Sequence, residues 1–358
     1  MTRIKKILLV FLRILAGIWT FGLLLSASLW ILVYHGWFAL ESKFMAIGYY
    51  PPYAFIFFLI PPFLVFLITR NIRISFLMLT VYVIFLFAYG DFSFLKSNAP
   101  EFAESAKTQT ISAAALNVRY YSFGLEKIIE TIQSIDADLY LLSENEITPA
   151  QLEKLTTEIA PKKFFMGRQE GTAIISRYPI IEFKEVLLPS HQASLHYKNK
   201  IKKQHLKPRR SFVHAIVDVN GVSVNAISVR FIAGRAKSRK PADVLEWGFY
   251  MLRTQVKELA FFQQYLKKLE GPVIFGGDLN ATPSSFVVRR LSESATDAYL
   301  ADHLWGGFTF RTIELSITFA RLDYLFCANQ IKPVRSKRLN MVISDHYPLY
   351  AEFLIPSN

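Results

Sequence analysis

The chain contains a single cysteine, Cys327, among 358 residues. A disulfide within the chain needs two cysteines, so the sequence excludes an internal disulfide framework as well as a cysteine-based zinc site. Cys327 lies in the apolar run of residues 324–328, where we expect a buried structural thiol. A single thiol does not identify the compartment in which the protein works.

Acidic residues are scarce relative to basic ones, with 28 Asp and Glu against 41 Lys and Arg and a formal net charge of +13. This balance favours anionic partners such as phosphate esters, nucleic acid or acidic lipid, and a basic soluble surface is the alternative. Cations are concentrated in residues 196–210 and 235–240, which form either solvated loops or a recognition surface for an anionic substrate. Tyr197 is the only Phe, Tyr or Trp in the first of these segments, which weakens a base-stacking platform for single-stranded nucleic acid.

Charged residues are nearly absent from three stretches, residues 7–34, 53–69 and 74–89. About 20 apolar residues cross a bilayer, so the first stretch is long enough and the other two are near the short end of the range. The first stretch is also too long for a removed signal peptide. We therefore expect three transmembrane helices in residues 1–90, with a re-entrant or interfacial hairpin as the alternative for the second and third.

The charges that flank these stretches predict an orientation, because Lys and Arg are retained on the cytoplasmic side. Arg3, Lys5 and Lys6 precede the first stretch, and Arg70 and Arg73 lie between the second and third. The chain is thus predicted to be a multi-pass membrane protein with a cytoplasmic N-terminus. The large domain after the third stretch would then be extracytoplasmic.

Residues 91–108 mix polar and small residues without apolar periodicity, as a linker does, and residues 109–358 read as one large domain. Asn220 and Gly221 separate two alternating runs, which predicts a β-hairpin. The alternation of strand-like and helix-like runs indicates the α/β class, and both a two-sheet sandwich and a single mixed sheet fit it. The strand-like runs are 111–118, 138–142, 172–176, 212–219, 222–229 and 273–276, and the helix-like runs are 125–135 and 242–269.

Polar side chains collect where these strands end, which is where sites on α/β scaffolds usually lie. Seven such residues are candidates: Asn117, Glu144, Asp278, Asn280, Asp323, Asp345 and His346. An oxygen-rich set with one histidine suits Mg²⁺ or Mn²⁺ better than zinc. Each residue taken alone is equally well a helix cap, a turn residue or a structural residue, so the prediction of a metal site depends on the combination.

Six short motifs in this domain occur in the order found in a known family. They are LNV at 116–118, Asp138 with Glu144 six residues later, GTAIISRYPI at 171–180, GDLNATP at 277–283, RLDY at 321–324 and SDH at 344–346. With these motifs, residues 111–354 resemble the endonuclease/exonuclease/phosphatase superfamily, which includes deoxyribonuclease I and neutral sphingomyelinases. The resemblance implies a four-layer α/β sandwich of the deoxyribonuclease I type and a Mg²⁺- or Mn²⁺-dependent phosphoric ester hydrolase, acting foremost on phosphodiesters.

The resemblance also implies a role for each candidate residue. Glu144 would be the principal metal ligand, and Asn117 would support the metal shell. Asp278 would orient or deprotonate the attacking water, and Asn280 would hold the phosphate. These are the roles that metal-assisted hydrolysis of a phosphate ester requires.

His346 would contact the phosphate or transfer a proton, with Asp323 orienting its ring and Asp345 assisting the metal or the histidine. One position departs from the family, since related hydrolases carry a second histidine where this chain has Arg230. Arginine can bind a phosphate bidentately but cannot easily donate a proton to a leaving group. An inactive phosphate-binding surface protein is therefore an alternative to a hydrolase.

The predicted membrane anchor bears on the substrate, because a tethered site meets lipid head groups at high effective concentration. A phosphodiester of the lipid head group class is the preferred substrate, and an external nuclease is the alternative. The sequence does not decide between them.

Overall fold

The structure is a computed structural model that describes residues 3–35, 52, 55–89, 108–159, 164–167, 170–189, 210–233, 241–311 and 318–357. The chain divides into two compact units. One comprises Met1–Phe92 with Thr282–Arg289, and the other comprises Ser93–Ala281 with Arg290–Asn358. The predicted basic segments at 196–209 and 235–240 lie outside the described residues.

The N-terminal segment of the first unit contains three apolar helices, α1 (Arg3–Tyr34), α2 (Phe55–Ile68) and α3 (Ile72–Tyr89). Among the described residues, only Ile4–Tyr34 and Ile72–Tyr89 are long and apolar enough to cross a membrane, by length and composition. Helix α2 has 14 residues. Such a helix rises about 21 Å, which is less than the roughly 30 Å of hydrocarbon in a bilayer. The prediction of three spans is therefore corrected to two candidate spans and one shorter apolar helix.

Arg13 is the one charged residue in the interior of α1, and its guanidinium donates a hydrogen bond to the carbonyl oxygen of Thr69, just after α2 (2.5 Å). A charge in an apolar helix is costly unless it finds such a partner. Trp30 of α1 is fully buried, and its ring contacts Phe85 and Tyr89 of α3 edge-on. These contacts hold the apolar helices against one another.

The second unit contains two six-stranded sheets and a small two-stranded ribbon. The strand orders are β13-β14-β1-β2-β4-β3 and β5-β6-β7-β8-β12-β9, and the ribbon is β10-β11. The strands are β1 (Thr108–Asn117), β2 (Leu139–Glu146), β3 (Phe164–Gly167), β4 (Glu170–Ser176), β5 (Ile180–Leu187), β6 (Ser211–Val219), β7 (Val222–Ser228), β8 (Val273–Asp278), β9 (Thr296–Asp297), β10 (Phe310–Arg311), β11 (Thr318–Ala320), β12 (Asp323–Ala328), β13 (Lys332–Arg338) and β14 (Leu349–Pro356).

The helices that follow α3 along the chain cover the sheets or connect their strands. They are α4 (Leu125–Ile135), α5 (Pro149–Ile159), α6 (Pro241–Leu266), α7 (Phe286–Ser292) and α8 (Ala298–Asp302), with a 3-10 turn at Arg119–Tyr121. Residues 242–269 were predicted to be helical, and α6 ends three residues earlier.

Both faces of β1 are buried, because successive side chains of a strand point to opposite faces and both faces are covered. Ile111, Ala113 and Ala115 belong to a core cluster that includes residues of both sheets. Ala114 and Leu116 belong to a second cluster that includes the apolar faces of α4 and α5. The first sheet is therefore packed between the second sheet and these helices.

Helix α6 covers the outer face of the second sheet. Phe262 packs edge-on against Phe212 of β6 and against Phe275 of β8. The layers thus run helix, sheet, sheet, helix. This confirms the four-layer α/β sandwich and excludes the single mixed sheet.

Two local predictions are also confirmed. Asn220 and Gly221 connect β6 to β7 and both have positive φ, 52° and 88°, as a type I′ hairpin turn requires. Cys327 is buried and unpaired. One local prediction is wrong: Arg210 was assigned to a possible solvated loop, but its Nε lies 2.6 Å from Oε1 of the fully buried Glu258.

Candidate active site

The ends of strands from both sheets meet at one place. Strands β1 and β2 are parallel, as are β7 and β8, so each pair ends at the same edge of its sheet. Strand β12 is antiparallel to β8, and its first residue, Asp323, lies opposite Asp278 in the register. Residues that are distant in the sequence are thereby brought together.

Hydrogen bonds join the two sheets at this edge. Ser228 donates from Oγ to the carbonyl oxygen of Leu142 (2.8 Å), and the Asp278 amide donates to Ser143 Oγ (3.0 Å). The approach of the sheets is close enough to require glycine: at Gly277 (φ +126°), a Cβ would lie 2.8 Å from Ser143 Oγ of the first sheet and 2.5 Å from the Val229 carbonyl oxygen of its own sheet. Ser143 and Ser228 could not be identified from the sequence, because a serine in an apolar strand carries no distinctive signal.

Glu144 lies inside β2 at a β-bulge, where the register with β4 shifts between Ser143 and Asn145. Its φ is +56°. A bulge inserts one extra residue into a strand and changes the direction of its side chain. The Glu144 side chain therefore does not follow the alternation of side chains along β2. The prediction that Glu144 follows the strand is wrong, because hydrophobic alternation does not reveal a bulge.

Asp278 is the most heavily bonded carboxylate of the site and is 1% exposed. Its Oδ2 accepts hydrogen bonds from the side-chain amides of Asn117 (3.1 Å) and Asn280 (3.0 Å). Burial raises the pKa of Asp278 to about 6, with protonated His346 opposing the shift and Asp323 adding to it. A carboxyl group that titrates near neutral pH can accept a proton from water.

Asn280 uses both hydrogens of its side-chain amide within the protein. Nδ2 donates to Asp278 Oδ2 and to the Phe231 carbonyl oxygen (both 3.0 Å). An amide group has only two N–H donors, so the predicted donation to phosphate would require one of these bonds to break. In the arrangement described here, Asn280 positions Asp278.

His346 and Asp323 form a buried pair in which Nδ1 and Oδ2 are 2.6 Å apart. Burial lowers the pKa of the imidazole, but the carboxylates of Asp323, Asp278 and Asp345 together outweigh burial and raise the pKa of His346 to about 9. The second oxygen of Asp323, Oδ1, is buried and receives no hydrogen bond from the described residues. Each of Asp278, Asp323 and His346 offers a ligand atom, and these atoms lie within 4.8 Å of one another.

This donor set fits a hard divalent cation. Carboxylate and amide oxygens predominate in it, and a buried acceptor without a donor, such as Asp323 Oδ1, is a position where a cation or a proton donor is expected. Glu144, Asn117 and the carboxylates of Asp278 and Asp323 therefore offer oxygen ligands for a metal ion.

Two arginines pair with the remaining acids. Arg230 Nη2 lies 2.5 Å from Glu144 Oε1, and Arg119 Nε lies 3.6 Å from Asp345 Oδ1. The Asp345 side chain thus contacts Arg119 and raises the pKa of His346 through its charge. Arg119 was missed by the sequence analysis, although it lies two residues after Asn117 and its amide donates to Asn117 Oδ1 (3.0 Å).

Residues 114–346 match the family model described as "Endonuclease/Exonuclease/phosphatase family". The chain therefore belongs to this family, which confirms the resemblance inferred from the motifs. Its members include hydrolases of phosphodiesters. A comparison with curated proteins finds no match.

Several solved structures are similar to this chain. TDP2 from D. rerio, humanized by 14 mutations, is 19% identical with a TM-score of 0.50, covering 68% of this chain and 98% of that one. D. rerio TDP2 complexed with a single-strand DNA product is 18% identical with a TM-score of 0.51, covering 68% and 99%. An endonuclease/exonuclease/phosphatase from Bacteroides vulgatus is 14% identical with a TM-score of 0.51, covering 68% and 98%. At these identities the similarity shows the fold alone.

Proposed function

We propose that this protein is a metal-dependent hydrolase of phosphate esters, foremost of phosphodiesters, that acts at the outer face of a membrane. The observation that carries the proposal is the buried cluster of Asp278, Asp323 and His346, whose ligand atoms lie within 4.8 Å of one another at the shared sheet edge. Membership in the family supports hydrolysis of a phosphate ester. Mg²⁺ or Mn²⁺ is the proposed cofactor, because the donors are mostly oxygens.

The cation would be held by Glu144 and Asn117, and when bound it would neutralise phosphoryl oxygens of the substrate. Asp278 accepts the proton of the attacking water, which its pKa of about 6 allows near neutral pH. Asn117 and Asn280 hold the Asp278 carboxylate in place through their amide groups. Rigid placement of the base is what makes such a proton transfer efficient.

Protonated His346 faces the charge that develops on the phosphate and donates a proton to the leaving oxygen. Asp323 orients the ring, and Asp345 adds negative charge beside it, so both carboxylates keep the imidazole protonated. Arg230 binds phosphate oxygens but does not serve as the acid, because a guanidinium holds its proton too tightly. The departure of the leaving group from a phosphodiester therefore depends on a proton from His346.

The membrane part of the proposal rests on the apolar helices and their flanking charges. We propose an anchor in residues 1–90, a linker in 91–108 and a catalytic domain in 109–358. Arg70 and Arg73 flank the start of α3, which favours a cytoplasmic start for this candidate span and hence an extracytoplasmic domain after it.

The side of the membrane can be tested with reporter fusions after Asn358 of the full chain. An enzyme that is active only outside the cytoplasm, such as an alkaline phosphatase, should be active in the fusion, and a cytoplasmic fluorescent reporter should be dark. The opposite pattern would mean an even number of crossings and would overturn the extracytoplasmic proposal.

The substrate class can be tested with the full chain in detergent micelles. We expect hydrolysis of bis(p-nitrophenyl) phosphate and of sphingomyelin or phospholipid head groups in vesicles, with weaker action on DNA. Activity should require Mg²⁺ or Mn²⁺, disappear with chelator and disappear in His346→Ala. His303→Ala, which removes a histidine stacked on Tyr299 outside the site, serves as the matched control and should remain active.

The result of this assay assigns the protein to one of the candidate functional classes. A preference for DNA would favour the external nuclease. Binding of the anionic substrates without turnover would favour the inactive phosphate-binding protein and overturn the hydrolase. Full activity in chelator would overturn the metal dependence.

A further inference from the structure

Arg230 bridges carboxylates of the two sheets. Its Nη2 lies 2.5 Å from Oε1 of Glu144, and its Nε lies 3.6 Å from Oδ2 of Asp278. Glu144 belongs to β2 of the first sheet, and Asp278 belongs to β8 of the second. One guanidinium thus faces both the acid proposed to hold the metal and the acid proposed to activate water.

The backbone of Arg230 is fixed on both sides. The Val229 amide donates to the Gly276 carbonyl oxygen (2.8 Å), and the Phe231 amide donates to the Asp278 carbonyl oxygen (3.2 Å). The carbonyl oxygen of Arg230 itself accepts from Arg210 Nη2 (3.2 Å). Because the backbone is held, the position of Arg230 is set by the fold, and its freedom lies in the side chain.

The Arg230 side chain makes few hydrogen bonds. It makes a single short contact with Glu144, and its Nε makes no hydrogen bond with the described residues. The side chains of Arg230 and Glu144 are 19% and 15% exposed. A pair with one short contact and access to solvent can exchange partners, unlike a bidentate pair sealed in a core.

We infer that Arg230 competes with the divalent cation for the Glu144 carboxylate, and that metal binding transfers the guanidinium from Glu144 to the substrate phosphate. This inference rests on the proposed function. A carboxylate already paired with a guanidinium attracts a second cation less strongly, so Arg230 weakens metal binding in the absence of substrate. The planar guanidinium matches two phosphate oxygens, so substrate stabilises the state in which metal holds Glu144.

The competition can be measured as Mn²⁺ binding by the full chain in detergent micelles, with free Mn²⁺ read from its electron paramagnetic resonance signal. We expect Arg230→Gln to bind Mn²⁺ at least roughly tenfold more tightly than the wild type. The reason is that the variant lacks the guanidinium that competes with Mn²⁺ for Glu144. Glu144→Gln should lose this binding. A gain of affinity is informative because misfolding would cause a loss.

The matched control is Arg119→Gln, which removes the same charge from a pair with Asp345 but does not contact Glu144. Its effect on Mn²⁺ affinity should be clearly smaller than that of Arg230→Gln. Equal gains in the two variants would mean a general charge effect and would overturn direct competition. Unchanged or weaker binding by Arg230→Gln would overturn it as well.

The transfer to phosphate has its own readout. Dimethyl phosphate should tighten Mn²⁺ binding by the wild type more than by Arg230→Gln, and equal tightening would overturn the transfer.

Hydrolysis by the same preparations is scored separately. A wild type that hydrolyses its substrate while Arg230→Gln shows no gain in affinity overturns the inference alone. The predicted gain without hydrolysis overturns the hydrolase and leaves the competition, and absence of Mn²⁺ binding in every variant overturns both.

Discussion

Two arginines of the second unit pair with carboxylates in different ways. Arg321 contacts both oxygens of Asp297, at 3.0 and 2.7 Å, and is completely buried. Arg230 makes one short contact with Glu144, and both side chains reach solvent. A sealed bidentate pair can only hold the fold together, whereas an accessible pair with one contact can change partners during function.

Among the described residues, two histidines are buried, and they differ in charge. His214 lies between Tyr265 and Asn225, and burial lowers its pKa, so it remains neutral. His346 faces the carboxylates of Asp323, Asp278 and Asp345, which together raise its pKa to about 9 despite burial. The charge of a buried histidine therefore depends on whether its neighbours are carboxylates, as at the site, or neutral groups, as around His214.

Asp278→Asn should have the largest effect, which is a loss of activity. Loss of the proposed base should lower kcat roughly 10²- to 10⁴-fold. Some loss of stability is also expected, because both oxygens of Asp278 accept hydrogen bonds and the amide replaces one of these acceptors with a donor. Steady-state hydrolysis and urea unfolding of the same preparation check both parts. If kcat is retained, Asp278 is not the base.

The next largest effect is on stability, from Arg321→Met. Asp297 would be left as an unpaired buried carboxylate, which should cost about 3–5 kcal/mol in the free energy of unfolding. The midpoint of urea unfolding, measured by pulse proteolysis of the full chain, reports this loss. Arg335→Met, at an exposed position on β13, is the control. Comparable midpoints for the two variants would contradict a structural role for Arg321.

A smaller stability effect is expected for Arg230→Gln, about 1 kcal/mol or less of either sign, because a partly exposed pair contributes little. The same urea midpoint measures it. A loss as large as that of Arg321→Met would break the comparison, since Arg230 would then hold the fold together as Arg321 does.

The smallest predicted effect is the contribution of His214 to the pH dependence of the unfolding free energy. Its pKa is lowered in the folded protein, so the unfolded chain takes up a proton first as the pH falls. Its contribution to stability is therefore complete above the unfolded pKa of about 6.5 and is lost as the pH falls below it. His214→Gln should flatten this part of the profile of unfolding free energy against pH. An unchanged slope between pH 7 and pH 5 would assign the loss to other groups.

Much of the fold and part of the site could be predicted from the sequence. Alternating and apolar runs predicted the α/β class, and Asn220 with Gly221 predicted the hairpin, because these signals depend on neighbouring residues. The motifs pointed to Asp278, Asp323 and His346, which do come together. Three features could not be predicted: the bulge at Glu144, the hydroxyls that join the sheets, and the pairing of Arg119 with Asp345.

The sequence by itself determined which residue types were present for chemistry: carboxylates, carboxamides and a histidine, with no second cysteine. It also determined the apolar helices, because long runs almost without charge are candidates for membrane spans. Only the tertiary structure decided the partner of each charge. Arg230 meets Glu144 because two separate sheets end at the same edge, and the distance across that edge depends on sheet packing rather than on spacing along the chain.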